Sequence, residues 1–242
     1  MDLGGPPLRI YEMALLLIVK DEQGTISVSL WDLVLAGAVL CDLVLEERLA
    51  VDVEADTCTV VDERPLDDVL LDGCLKLFLD AKRPIAAKHA LHHIGRVKIS
   101  GLEGAARLRF ADLYHAAAQR LCDRGVLRMV EKKVLWIFRV RVYPEVVPEV
   151  ERALIQELER VLFTDARDVS PRIAALVTVA RHSNMFAKIF GRGRVAACEE
   201  RIDAIAAGKV DGGVMGAAVT AAQAAAALVV MSTAVMTTVT RS

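Results

Sequence analysis

The chain has 242 residues, 54% of them hydrophobic and 26% charged, with a net charge of -2. That balance excludes a disordered chain and supplies enough apolar surface for one large domain or two small ones. Five cysteines, Cys41, Cys58, Cys74, Cys122 and Cys198, are odd in number and never spaced as CxxC, which excludes a disulfide framework or zinc knuckle and points to reduced thiols in a cytosol-like compartment.

The opening MDLGGPPLRIYEMALLLIVK joins an apolar run to an acidic start without a small-residue cleavage site, so a first core helix is expected rather than a signal peptide. Ser29, three residues before Asp32, resembles a capping box, and WDLVLAGAVLCDLVLEE then carries apolar groups around most of a central, buried helix. RLAVDVEADTCTVVD places two short β-prone runs around Glu54, Ala55 and Asp56 and reads as a hairpin. PLDDVLLDGCLKLFLDAKR is an amphipathic helix and AAKHALHHIGRVK a basic one, while FADLYHAAAQRLCDRG is a helix that closes on Gly125. VPEVERALIQELERVLF begins with proline in its first turn, and SPRIAALVTVARH offers Ser170 as N-cap with Pro171 behind it. VAACEERIDAIAAGK is the next helix. Gly212 to Thr240 is long and uncharged enough to span a bilayer, but its Ala and Thr content and Gln223 favour a buried C-terminal helix. LCDLVLEERLAV from 40 and LCDRGVLRMV from 121 both pass from a helix end into an apolar strand, a faint internal echo.

Gly125 to Tyr143 reads as a second hairpin: GVLRMV, a turn near EKK, and VLWIFRVRVY. Trp136, Phe138, Val140 and Val142 alternate with Ile137, Arg139, Arg141 and Tyr143, as a strand requires. The tip is different, because Val134 to Phe138 is apolar at every position beside Lys132 and Lys133. It must be covered by the rest of the domain, by another subunit, or by a membrane interface. Partial burial of two or three such side chains is worth roughly 3 to 6 kcal/mol, and each nearby cation adds about 1 kcal/mol on an anionic leaflet. Trp136 suits an interface, being apolar with one N-H to keep wet.

Charge is unevenly spread. From Ala81 to Arg141 there are fourteen Lys and Arg against four acids, Glu103, Asp112, Asp123 and Glu131, a balance of +10 that leaves -12 elsewhere. A surface built to face an anion is one reading, a solvated basic face the other. His89 and His93 lie four apart, in a helical geometry that can hold a metal, but with basic neighbours and no carboxylate within a turn; a basic face is expected. GRGR at 191 to 194 offers amides and guanidiniums to a phosphate, although a solvated helix-joining loop is the expectation. The adjacent pairs Asp67-Asp68 and Glu199-Glu200 read as exposed helix, since neighbouring side chains diverge. No nucleophile elbow, P-loop, HExxH or Gly-rich strand-to-helix turn is present in the sequence, so neither an enzyme nor a cofactor is expected.

The order of these motifs resembles the Golgi phosphoprotein 3 family. LLLIVKDEQGTISVSLWDLVLAGAVLCDLVLEERL is similar to the leucine-rich helix, D-x-x-G turn and L-A-G-A-like helix of its bacterial members. LDGCLKLFLDAKRP, RLCDRGVLRMVEKKVLWIFRVRVYPE and GRVAACEERIDAIAAG follow in the family's order, across essentially the whole chain. The resemblance implies one mainly α-helical domain over residues 1–242, with short β-hairpins, one of them protruding and apolar at its tip. It further implies a cytoplasmic adaptor, peripheral on a membrane, that binds anionic phospholipid headgroups. In eukaryotic members the lipid is phosphatidylinositol 4-phosphate, the cargo is the cytosolic tails of membrane enzymes, and the hairpin also serves self-association, so a homo-oligomer is expected.

Carried onto this sequence, the family's headgroup tryptophan falls near Trp31, two residues out of register, and its arginines fall on Ala36 and around Ala111, Tyr114 and Ala116. Arg107 and Arg109 are the nearest substitutes. The expected headgroup contacts are therefore Trp31, Arg107, Arg109, Lys132 and Lys133, with Leu135, Trp136 and Ile137 inserting into the membrane or meeting another subunit. These departures weaken a specific phosphoinositide fork and leave charge-density binding intact. A winged-helix-like nucleic-acid binder is the alternative from another class, disfavoured by the apolar tip, so no nucleic acid is expected; a structural homo-oligomer with the hairpin between subunits is the third.

Overall fold

The computed structural model describes residues 6–19, 26, 28–52, 54–95, 97, 111–134 and 138–210. Arg107, Arg109, Leu135, Trp136, Ile137 and the stretch from Gly212 to Thr240 lie outside the described residues. Ten helices and two antiparallel hairpins are described, so the chain is mainly helical as expected.

Two helices form the centre. α1 (Ile10–Ile18) is buried along its whole length, and α2 (Trp31–Leu45) is buried from Leu33 to Val44. A helix that is apolar all round has no face to give to water, so its neighbours must surround it. α2 accordingly touches α1, α3 (Val69–Leu79), α4 (Ala87–Ile94), α5 (Ala111–Asp123), α7 (Pro171–Ala180) and β1 (Leu49–Asp52). The outer helices are amphipathic: α6 (Pro148–Phe163) buries Val150, Leu154, Leu158, Val161 and Leu162, one stripe at helical spacing. Each such leucine contributes about 1.5 to 3 kcal/mol by burial. α8 (Met185–Phe190), α9 (Arg192–Ala197) and α10 (Glu199–Ala206) close the described chain, with α10 packed on α7.

β1 pairs with β2 (Thr57–Val60), and Cys58 donates its amide to the Ile85 carbonyl at 2.8 Å, which ties this hairpin to the entry of α4. β3 (Val130–Val134) pairs with β4 (Phe138–Val142). All five cysteines are free, and burial raises the pKa of Cys41 and Cys74, so these thiols stay protonated.

The echo between the two helix-to-hairpin passages has a geometric basis. At the end of α2, Glu47 donates its amide to Val44 and Arg48 donates to Leu43; at the end of α5, Gly125 donates to Cys122 and Val126 to Leu121. Both exits are Schellman turns, in which one residue takes the left-handed conformation and the next amide reaches back to the last turn. Gly125 (φ 72) does so without a Cβ, whereas Glu47 (φ 57) carries the steric cost.

Four local expectations are corrected. Ser29 does not cap α2: the residue before the helix is Leu30 in the left-handed region, and Ser29 instead exchanges two hydrogen bonds with Asn184 in the α7–α8 loop. Asp68 is not on an exposed face; it is buried as the N-cap of α3 and accepts from the Leu70 and Leu71 amides at 3.1 Å. GRGR is not a loop, because α9 starts at Arg192, after Gly191 in the left-handed region. VAACEERIDAIAAGK is broken at Cys198 into α9 and α10.

Replacing Glu47 by Gly should raise unfolding stability by about 0.5 to 1 kcal/mol, the left-handed penalty less the entropy cost of glycine. Denaturant unfolding of the two chains measures it; an unchanged midpoint would show the Glu47 turn to be unstrained.

Candidate functional site

The residues that the sequence brings into question meet at one end of the molecule, where α2 starts, α5 runs past it and the β3–β4 hairpin leaves. Trp31 is the first residue of α2 and is half-buried; its ring meets Tyr114 of α5 edge-on, centroids 5.7 Å apart. Tyr114 in turn meets Tyr143, which directly follows β4, edge-on at 5.8 Å. The Tyr143 hydroxyl and His115 Nδ1 share a hydrogen bond of 2.7 Å. Burial pushes the Tyr114 and Tyr143 phenols up to about 12, so both remain neutral. This aromatic node fastens the hairpin base to α5 and α2.

The positions to which the family resemblance assigns arginines look different. Ala36 is 1% exposed and Ala116 5%, both inside the core, and Tyr114 is occupied against Trp31. Ala111 opens α5. A guanidinium at Ala36 or Ala116 would have no route to solvent without repacking, so these described positions do not make a phosphate fork.

The hairpin differs from its expected form in one respect. Its turn is not at Glu131, Lys132 and Lys133, which lie within β3; the closing pair is Val134↔Phe138, leaving residues 135–137 as the connection. Register is set from the base, where Val142 is buried, Leu127 bridges Glu145, and the Arg128 amide donates to the Pro144 carbonyl at 3.0 Å. Pairing then runs outward through Lys132↔Val140 and Lys133↔Arg139. Lys132 and Lys133 are exposed, two residues and one residue before Val134. Among the described residues, β3 and β4 pack chiefly on each other rather than on the helical body.

Not all of the basic stretch faces outward. Arg124, in the turn that ends α5, donates to Glu12 Oε2 at 2.7 Å and to the Pro6 carbonyl at 2.6 Å. Arg120 lies 3.8 Å from Glu12 and 3.7 Å from Asp68. Two of the fourteen cations are therefore turned to buried carboxylates. Lys82, Arg83 and Arg128 are exposed.

The other constellations resolve more simply. His89 and His93 are exposed on α4, and no group of three or more His, Cys, Asp or Glu suited to a metal is found among the described residues. Arg194 lies 4.3 Å over the Phe163 ring and donates to Glu159 at 2.8 Å, so that guanidinium is held by α6. Glu199 and Glu200 are exposed. A cleft of about 1010 Å3, lined by Leu8, Met13, Arg160, Ser170 and Arg172 among others, opens between the start of α1, α6 and α7. Its arginines are engaged by Glu157, Asp168 and Glu46. The cleft had no local signal in the sequence, because its walls come from segments far apart in the chain.

A family model described as Golgi phosphoprotein 3 (GPP34) matches residues 10–226. No curated protein matches the chain.

Trp31→Ala should destabilise the fold by about 2 kcal/mol, and a double-mutant cycle with Tyr114→Leu should return a coupling of about 1 kcal/mol for the edge-to-face pair. A coupling near zero would mean that the two rings pack independently.

Proposed function

The chain belongs to the Golgi phosphoprotein 3 family, and on that premise we propose that it is a peripheral adaptor on an anionic phospholipid membrane. Leu135, Trp136 and Ile137 enter the interface, while Lys132 and Lys133 lie against the headgroups, joined by Arg107, Arg109 and Trp31. One observation carries the reading: a hairpin whose strands pack on each other, with two exposed lysines just before an apolar three-residue connection. Burying that connection offers roughly 3 to 6 kcal/mol and the lysine pair about 2 kcal/mol, enough for reversible docking. No described helix is long and apolar enough to cross a membrane.

Lipid choice follows from the buried Ala36 and Ala116. A fork of fixed guanidiniums recognises a phosphomonoester by geometry, whereas exposed lysines respond to surface charge density. We therefore read the binding as responsive to anionic surface in general, with phosphatidylinositol 4-phosphate one anionic lipid among others. The cytosolic tails of membrane enzymes and a second copy of the chain are the partners that family membership brings to this proposal.

Co-sedimentation with neutral, phosphatidylserine and phosphatidylinositol 4-phosphate vesicles, matched in surface charge at about 0.15 M salt, tests the reading. Comparable binding to both anionic vesicles and none to neutral ones is expected. Binding confined to the phosphoinositide would replace charge-density binding by a pocket, and no binding at all would remove the membrane role and leave the hairpin to subunit contact.

Replacing Lys132 and Lys133 together by Ala should weaken vesicle binding by about 30-fold. The pair Trp136→Asp and Ile137→Asp should abolish it in a chain that still unfolds cooperatively. Retention of binding by that second variant would exclude insertion.

A further inference from the structure

The last turn of α5, from which the hairpin departs, is held by a buried ionic cluster that the sequence did not announce. Glu12 of α1 is wholly buried; its Oε2 accepts from the Arg9 amide at 2.8 Å and from Arg124 at 2.7 Å, but its Oε1 has no hydrogen-bond partner. Asp68, at the start of α3, accepts from the Tyr11 hydroxyl at 2.7 Å and lies 3.3 Å from Arg9. Arg120 Nε sits between them, 3.8 Å from Glu12 Oε1 and 3.7 Å from Asp68 Oδ2, buried and without a hydrogen bond of its own. Its side chain is 35% exposed, so its far end already reaches solvent.

Tyr11 also faces this cluster, and through Arg9 it continues to Asp42 and to Glu46, which accepts from Arg172 of α7 at 2.9 Å. Burial is the main cause of a raised Glu12 pKa, with Asp68 adding to it, while the Arg9 amide, Arg124 and Arg120 pull the other way. A carboxylate oxygen without a donor gains a partner when it takes a proton, because a carboxylic acid can donate to the neighbouring carboxylate.

We propose that this cluster is a proton-operated latch on the last turn of α5. A proton from solvent adds to Glu12 Oε1, the new O-H donates to Asp68 Oδ2, and Arg120, no longer facing two anionic oxygens, turns its guanidinium to solvent. Arg124 keeps its bond to Glu12 Oε2, so the helix stays seated while the surface gains one cation. On an anionic leaflet one added cation increases partitioning by about fivefold. The vesicle consequence rests on the membrane reading above; the proton uptake does not.

Glu12→Gln imitates the protonated state, since its amide can donate where the acid would. At pH 7.5 this variant should bind phosphatidylserine vesicles about fivefold more than the wild type, and Glu12→Gln with Arg120→Ala should return to the wild-type level. As pH falls the wild type should approach the variant. Equal binding by wild type and Glu12→Gln at pH 7.5 would overturn the latch. If the wild type binds no vesicle, thermal melts decide. A folded-state pKa above the ordinary 4.5 means that Glu12 contributes stability fully present below that value and lost as pH rises through the folded pKa. The melting temperature of the wild type minus that of Glu12→Gln should then fall from pH 4 to pH 8, and a difference that is flat across that whole range would overturn the proposal independently of any membrane.

Discussion

A carboxylate with no solvent exposure ties the start of the chain to its centre. Asp42, near the end of α2, accepts from the amides of Ile10 and Tyr11 at 3.0 and 2.9 Å, the first two donors of α1. Helix N-termini leave such donors unsatisfied and favour an anion there. Burial nonetheless pushes the Asp42 carboxyl up to about 7, against the pull of those amides, Arg9 and Arg172. A buried charge of this kind is weak evidence of net stability, because desolvation offsets much of the attraction. Its value is positional. α1 and α2 are otherwise almost wholly apolar where they are buried, and the two amide bonds fix their relative register.

The same cluster orders the rest. Asp68 caps α3 and receives Tyr11, Glu12 receives Arg124 from the end of α5, and Glu46 receives Arg9 and Arg172. Five helices thus converge on one set of charges at the head of α1. The hairpin is built from the opposite materials: local strand pairing, a base of Val142 and Tyr143, and two exposed lysines. Rigid body and projecting arm are joined by α5, whose final turn belongs to both.

How much of this was legible depended on the range of the interaction. Pro148 at the start of α6, Ser170 capping α7 and Gly125 ending α5 act within a turn of themselves, and each stands where the sequence indicated. Ser29 failed as a cap because its partner, Asn184, is 155 residues away. The turn near Glu131 to Lys133 was set too early, because those residues pair within β3 and no Gly or Asn marks where pairing ends. Asp68, Arg120 and Arg124 were read as surface because charged residues usually are. Their burial is a tertiary fact, and it makes the outward basic face smaller than a residue count implies. Trp31 was expected at the headgroup site and Tyr114 stands where the family has an arginine; that their rings meet edge-on had no signal in the sequence. Arg107, Arg109 and residues 135–137 lie outside the described structure.

Ala36 sets a steric limit on what α2 can recognise. It lies wholly inside α2 at the position that the resemblance gives to a headgroup arginine, and α2 is enclosed by five other helices and a strand. An arginine placed there would insert a long cation into a close-packed interior, so phosphoinositide reading gained at that position would carry a cost in folding. The same recognition would meet less steric resistance at the exposed Lys132 and Lys133 of the hairpin than inside α2.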